Sequence, residues 1–172
     1  MKKIYQTQLE TPLGPMMAGA TDEGICLLEF MERKIMDAQW ASLRKQLKAT
    51  IIAENHPHFT RLQQELDAYF TGTLHTFTVP LHMPGTAFQQ AVWELLLTVP
   101  YGDVRTYKQQ AVLLQRPAAV RAVGHANGMN RISIIVPCHR IVGGNRDLTG
   151  YGGGIWRKQW LLEHENKFQR VG

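Results

Sequence analysis

Residues 117–144 read PAAVRAVGHANGMNRISIIVPCHRIVGG, and this stretch decides the C-terminal half of the fold. Proline is tolerated at the first position of a helix, where its missing N–H goes unused, so Pro117 predicts a helix running to about Asn127. Along it Ala118, Ala122 and Ala126 recur at i, i+4 and i+8, a face without long side chains, while Val120 and Val123 can turn to the core and Arg121 lies at the edge. Such a face admits another surface at close range, either a second helix of the protein or a nucleic-acid duplex. Beyond the helix, the run Ser133-Ile134-Ile135-Val136 predicts a short buried strand. It ends in Pro137-Cys138-His139-Arg140, which sets a thiol beside a histidine and an arginine. A lone cysteine is by default an inert core residue; adjoining cationic groups favour the thiolate and nucleophilic chemistry. Successive strand residues face opposite ways, so His139 needs a turn or a bridging water to reach the thiol.

Upstream, Thr86 is a good N-cap for a helix whose inward face is Phe88, Ala91, Val92, Leu95, Leu96 and Val99, stopped by Pro100 and Gly102. A second helix runs from about Tyr107 to Gln115, and the break before Pro117 completes the outline of a helix-turn-helix. Downstream, Leu148 to Gly154 is a glycine-rich loop. It lacks the Lys-Ser/Thr ending of a phosphate-binding P-loop and reads as the rim of a pocket. A final amphipathic helix takes Trp156, Trp160 and Leu161 on one side.

The first 30 residues carry β-branched and aromatic runs broken by Thr11-Pro12-Leu13-Gly14-Pro15 and Thr21-Asp22-Glu23-Gly24, predicting a small antiparallel meander. Met36, Trp40, Leu43 and Leu47 predict one helix, and Phe59, Leu62, Leu66, Tyr69 and Phe70 a second, closed by Gly72. An extended stretch holding Pro80 and Pro84 follows. The expectation is an α/β (α+β) protein of two domains. Residues 1–83 form an antiparallel sheet with helices that serves as a scaffold, and residues 84–172 form a mostly helical domain with the helix-turn-helix and the cysteine.

Composition narrows the function. Residues 1–85 hold 8 Lys and Arg against 9 Asp and Glu, net −1, whereas residues 86–172 hold 11 against 5, net +6, so an anionic partner is expected on the second half. Lys108, Arg116 and Arg121 fall around the two helices of that half. No apolar run approaches the ~18 to 20 residues of a membrane helix, and the polar start lacks a signal-like segment. A cytoplasmic protein is expected. Cys26 and Cys138 show no CxxC or Cys/His ligand spacing, which fits a reducing compartment, with Cys26 as a small core residue.

RAVGHANGMNRISIIVPCHRIVG, preceded by YGDVRTYKQQ and followed by LTGYGGGIWRKQWLLEHE, resembles the O6-alkylguanine-DNA alkyltransferases, the methylated-DNA–protein-cysteine methyltransferases. The likeness is dense from Gly85 to Glu165 and looser before it. It implies repair by direct reversal of O6-alkylguanine, and of O4-alkylthymine, in double-stranded DNA. The alkyl group passes from the flipped-out base to Cys138 in a single turnover, because the thioether product has no good leaving group. His139 would draw the thiol proton through a water, Glu165 would orient the imidazole, and Tyr107 would contact the phosphate and the departing base. Arg121 would fill the vacated place in the stack, with Lys108, Arg116, Ala122 and Ala126 also at the DNA. Asn130 would be the hinge, and Ser133, Ile141, Tyr151 and Gly152 would surround the base. Arg131, Ser133 and Gly152 depart from residues common in the family, which bears on pocket width. The resemblance also implies a monomer bound in the minor groove with little sequence preference, needing no methyl donor, metal or nucleotide. Two rivals stand beside it. A lesion-recognising module would work without Cys138, and a cysteine hydrolase using Cys138 and His139 would yield more than one product per protein.

Overall fold

The computed structural model describes residues 2–169, which divide into two compact units, one ending at Pro84 and the next beginning at Gly85. In the first, β1 (Lys2–Leu9), β2 (Met16–Thr21) and β3 (Gly24–Phe30) form the antiparallel meander. The β1–β2 turn is tied by Thr11, whose Oγ1 accepts from Leu13 N–H at 3.1 Å while its carbonyl accepts from Gly14 N–H. Every residue of β3 is buried, which is why it reads as an apolar run rather than an alternation. Its one carboxylate, Glu29, is paired with Arg33.

Helix α1 (Met36–Leu47) lays Trp40 and Leu43 on Ile4, Cys26 and Leu27, so Cys26 is a core residue. Lys48, in the left-handed conformation at φ 49°, turns the chain out of α1 into β4 (Ala49–Ile52). The meander alone was expected; β4 adds itself parallel to β1 and makes the sheet mixed, in the order β3-β2-β1-β4. Four residues directly after a helix are too few for an alternation to declare a strand, and β4 exists because it completes the edge beside β1. Helix α2 (Pro57–Phe70) buries Phe59, Leu62, Leu66 and Tyr69. The extended segment after it is held by Ile25, whose N–H donates to Pro80 O and whose carbonyl accepts from His82 N–H, both at 2.8 Å.

The second unit starts with α3 (Ala87–Leu96), closed by a capping box in which Thr86 Oγ1 accepts from Gln89 N–H and Gln89 Oε1 from Thr86 N–H. A threonine cap of this kind contributes about 1 kcal/mol. The buried face is Val92, Trp93 and Leu96, with Val99 just beyond; Ala91 is exposed and Phe88 half-buried, against expectation. Trp93 turns inward because its indole N–H has a partner there, Ala126 O at 2.9 Å. Two-residue strands β5 (Arg105–Thr106) and β6 (Ile141–Val142) pair in parallel. Helix α4 (Tyr107–Leu113) carries a second capping box, Thr106 with Gln109.

Helix α5 (Val120–Gly128) packs on α3 and α4. It begins three residues later than Pro117 predicts. Residues 117–119 form a turn, with Ala119 N–H on Arg116 O. The strand expected at Ser133–Val136 is absent too. These residues form a buried turn with Ile134 at φ 72°, and Cys138–Arg140 is a single turn of 3-10 helix. Apolar character predicted burial correctly here, but not conformation. Helix α6 (Ile155–Phe168) closes the unit. Among the described residues, no helix is long and apolar enough to cross a membrane.

Candidate active site

The turn at 132–136 is built around Asn130. Its Nδ2 donates to Val136 O at 2.9 Å and its Oδ1 accepts from Ile132 N–H at 2.9 Å, so one side chain closes both ends of the turn. The same Nδ2 lies 3.3 Å from Cys138 Sγ. Asn130 therefore ties the end of α5 to the sulfur, and the turn delivers Cys138 half-exposed while Ser133 through Pro137 are buried. Because Cys138 and His139 sit on a 3-10 turn, the alternation of a strand does not separate them.

His139 is fully buried, and its Nε2 lies 2.7 Å from Glu165 Oε2. The carboxylate is bound on other sides by Arg140 Nε at 2.8 Å, Arg140 Nη2 at 3.0 Å and Gly102 N–H at 3.3 Å. Burial alone would raise the Glu165 pKa; His139 and Arg140 outweigh it and hold the carboxyl well below the usual range. Burial pushes the His139 pKa down, against the pull of Glu165, so the imidazole is kept neutral. With the Nε2 proton on Glu165, Nδ1 is the basic nitrogen, and it has no hydrogen-bond partner among the described residues. The sequence places Arg140 as a cation favouring the thiolate. Its guanidinium goes instead to Glu165 and to Val99 O, 2.8 Å from Nη1, and lies over the Tyr101 ring.

Tyr107 and Lys158 both lie near enough to Cys138 to feel its charge. Tyr107, first residue of α4, donates its hydroxyl to Thr149 O at 3.0 Å. Burial and the neighbouring Cys138 raise its pKa, against the Thr149 hydrogen bond, so the phenol is protonated at neutral pH. Lys158, wholly buried, directs Nζ to the carbonyls of Ile141, Thr149 and Gly150. Burial lowers its pKa to about 8, with Cys138 opposing. Tyr107 and Lys158 thus grip one point of the glycine-rich loop. Tyr151 is half-buried and Gly152 exposed on that loop, whereas the Ile141 side chain is buried in the core.

The sequence missed Lys158 because the inward stripe of α6 is polar. Arg157, Lys158, Leu161, His164 and Glu165 are buried, while Trp156, expected inside with Trp160 and Leu161, is 56% exposed. A signal was present, since Lys158 precedes Glu165 by seven residues, two turns of the same face. On α5, Arg121 and Ala122 are exposed, but Ala126 is buried against Trp93, so the small face does not run the length of the helix. Ala118 lies before the helix, in the turn. Lys108 and Arg116 are exposed; Lys108 lines a groove of about 500 Å³ with Val104, Val112 and Leu113, and Arg116 lies over the Phe88 ring. Among the described residues, no three of the His, Cys, Asp and Glu side chains are grouped to hold a metal ion.

Comparison with known families matches residues 87–167 to the DNA binding domain of 6-O-methylguanine DNA methyltransferase and residues 4–83 to its ribonuclease-like domain. The chain belongs to the 6-O-methylguanine DNA methyltransferase family. A methylated-DNA–protein-cysteine methyltransferase of Methanosarcina barkeri is 40% identical over 94% of this chain and 97% of its own length. One of Mycobacterium tuberculosis is 41% identical over 94% and 92%. The crystal structure of Mycobacterium tuberculosis OGT in complex with DNA superposes with a TM-score of 0.80 at 39% identity, covering 96% of this chain and 94% of that one. The methyltransferase family thus spans both units of the fold.

Proposed function

We propose that this protein is a methylated-DNA–protein-cysteine methyltransferase that reverses O6-alkylguanine damage in DNA by moving the alkyl group to Cys138. The observation that carries the reading is a half-exposed thiol, held by Asn130, directly before a buried His139–Glu165–Arg140 cluster. The Cys138 proton leaves through a water to His139 Nδ1, and the imidazolium so formed is stabilised by Glu165. The sulfur lone pair forms the S–C bond as the carbon–oxygen bond breaks, and the bonding electrons pass to the purine. Tyr107, held protonated, supplies the proton that the departing purine needs. The products are guanine in DNA and a thioether on the protein, which cannot be turned over. The same chemistry applies to O4-alkylthymine.

The flipped base occupies a pocket rimmed by Tyr151 and Gly152, with Ser133 behind it and the loop pinned by Tyr107 and Lys158. Duplex DNA lies on the exposed face of α5, where Ala122 permits close approach to the minor groove and Arg121 enters the stack; Lys108 and Arg116 meet phosphates. Readout is of backbone and lesion, with little sequence preference, by a monomer in the reducing cytoplasm. The second unit carries the DNA-binding and acceptor functions and the first supports it. The test is intact-protein mass spectrometry with peptide mapping after incubation with a duplex carrying one O6-methylguanine. A single methyl on Cys138, saturating at one per protein, is expected. Lesion binding without a mass change would leave only a recognition module, and continued product formation beyond one equivalent would mean a hydrolase.

A further inference from the structure

Burial of Ala126 leaves Arg121, Ala122, His125 and Gly128 as the residues of α5 open to solvent, spaced i, i+1, i+4 and i+7 along one face. Two of them are cations or potential cations without a partner among the described residues. Neither the Arg121 guanidinium nor the His125 imidazole makes a hydrogen bond, ion pair or ring contact with a described residue. Elsewhere in this unit several such groups are occupied, Arg140 by Glu165, Arg105 by Leu95 O and Gln110, and Arg157 by Gly153 O, whereas the exposed Lys108 and Arg146 share the open state of Arg121 and His125 among the described residues. The charged and titratable groups on the helices packed against α5 are Glu94 on α3 and Tyr107 and Lys108 on α4, and none of them is bonded to His125. Arg131, just past α5, lies over the Trp93 ring. The other two histidines of the unit are enclosed, His139 on Glu165 and His164 against the Trp160 ring.

We infer that His125 is a DNA-contacting residue of α5, its imidazolium binding a backbone phosphate one turn beyond Arg121, so that DNA binding tightens as the pH falls. The inference rests on the proposal that duplex DNA docks on this face of α5. A neutral imidazole offers one N–H donor, whereas the imidazolium offers two and a full charge, and histidine is the side chain whose charge changes between about pH 5 and 8. Each phosphate neutralised adds about 0.9 to the slope of log K against log salt, which at 0.1 M salt is worth about eightfold in affinity.

The test is fluorescence anisotropy of the full chain on an undamaged duplex, from pH 8 to pH 5.5 and across 50 to 200 mM salt, for the wild type, His125→Gln and Arg121→Ala. In 0.1 M salt the wild type gains about eightfold on going to pH 5.5, and its salt slope steepens by about 0.9. His125→Gln matches the wild type at pH 8 and gains nothing, while Arg121→Ala is weaker at both pH values and keeps the gain. A wild type without the gain, or a His125→Gln protein that retains it, overturns the inference. The second result would assign the effect to His56, His58, His75 or His82 of the first unit. If both variants bind as the wild type does throughout, the docking face on α5 is itself wrong.

Discussion

Glu165→Gln tests the cluster behind Cys138 most directly. The carboxylate is wholly buried and accepts from Arg140 Nε, Arg140 Nη2 and Gly102 N–H while facing His139 Nε2. The amide keeps the shape but removes the charge, leaving a buried guanidinium with no counter-charge. Removing one partner of a buried pair costs about 3–5 kcal/mol. At ~2–4 °C of Tm per kcal/mol for a chain of this size, the melting point falls by roughly 6–20 °C. Arg140→Met should cost a similar amount, and the double variant less than the two together, with a coupling of about 2–3 kcal/mol. Urea denaturation at pH 7 measures each corner of the cycle.

The pH dependence follows from the same cluster. The Glu165 carboxyl is held below its unfolded value, so its stabilisation is complete at neutral pH and is lost as the pH falls below about 4.3 toward the folded value. His139, kept neutral by burial, adds a loss in the same direction below about pH 6.5. The urea midpoint of the wild type therefore falls on acidification, and Glu165→Gln loses the carboxylate part of that limb. Additive single variants, within about 0.5 kcal/mol, or a Glu165→Gln protein that melts like the wild type, would refute the pairing.

Tyr107→Phe should slow methyl transfer to Cys138 by about 10²-fold, measured by quench and mass spectrometry, because it removes the proposed proton donor; stability should change by only about 1 kcal/mol for the lost Thr149 hydrogen bond. Burial and Glu165 raise the Tyr101 pKa to about 12, against Arg140, so its stabilisation is present below about pH 10 and lost as the pH climbs toward 12. A urea-midpoint profile over that range should show the fall, and Tyr101→Phe should lack it. Gly19→Ala would put a Cβ 2.8 Å from Trp40 Cη2 and 3.3 Å from Leu27 Cβ, so a lower urea midpoint at unchanged slope, by about 1–3 kcal/mol, is expected.

The chemistry of the acceptor segment was legible in the residues. Pro137-Cys138-His139-Arg140 is read from the residues, Asn130 and Glu165 only through the family resemblance, and all fall in one cluster. Local signals also held where they rest on local physics. Thr86 caps α3, Gly72 has positive φ after α2, and the periodicities at 36–47 and 59–70 fall in helices. They failed where a distant partner decided. Pro117 is compatible with a first helical position, yet the chain there turns before α5 begins. The Ile134-Ile135-Val136 run is apolar because it is buried, but Asn130 bends it into a turn that no neighbouring strand competes for.

What the sequence alone determined about this protein is the family and which residue types lie in the acceptor segment, because residue types, spacing and helix periodicity are written along the chain. The tertiary structure decided which groups face one another. It took Arg140 from the thiol to Glu165 and turned Ala126 inward to receive the Trp93 indole. It also made the inward stripe of α6 polar, placing Lys158 and Glu165 where hydrophobic periodicity expects Trp156. A buried charge is stable only beside partners supplied by other elements, and a pattern read along one helix cannot contain them.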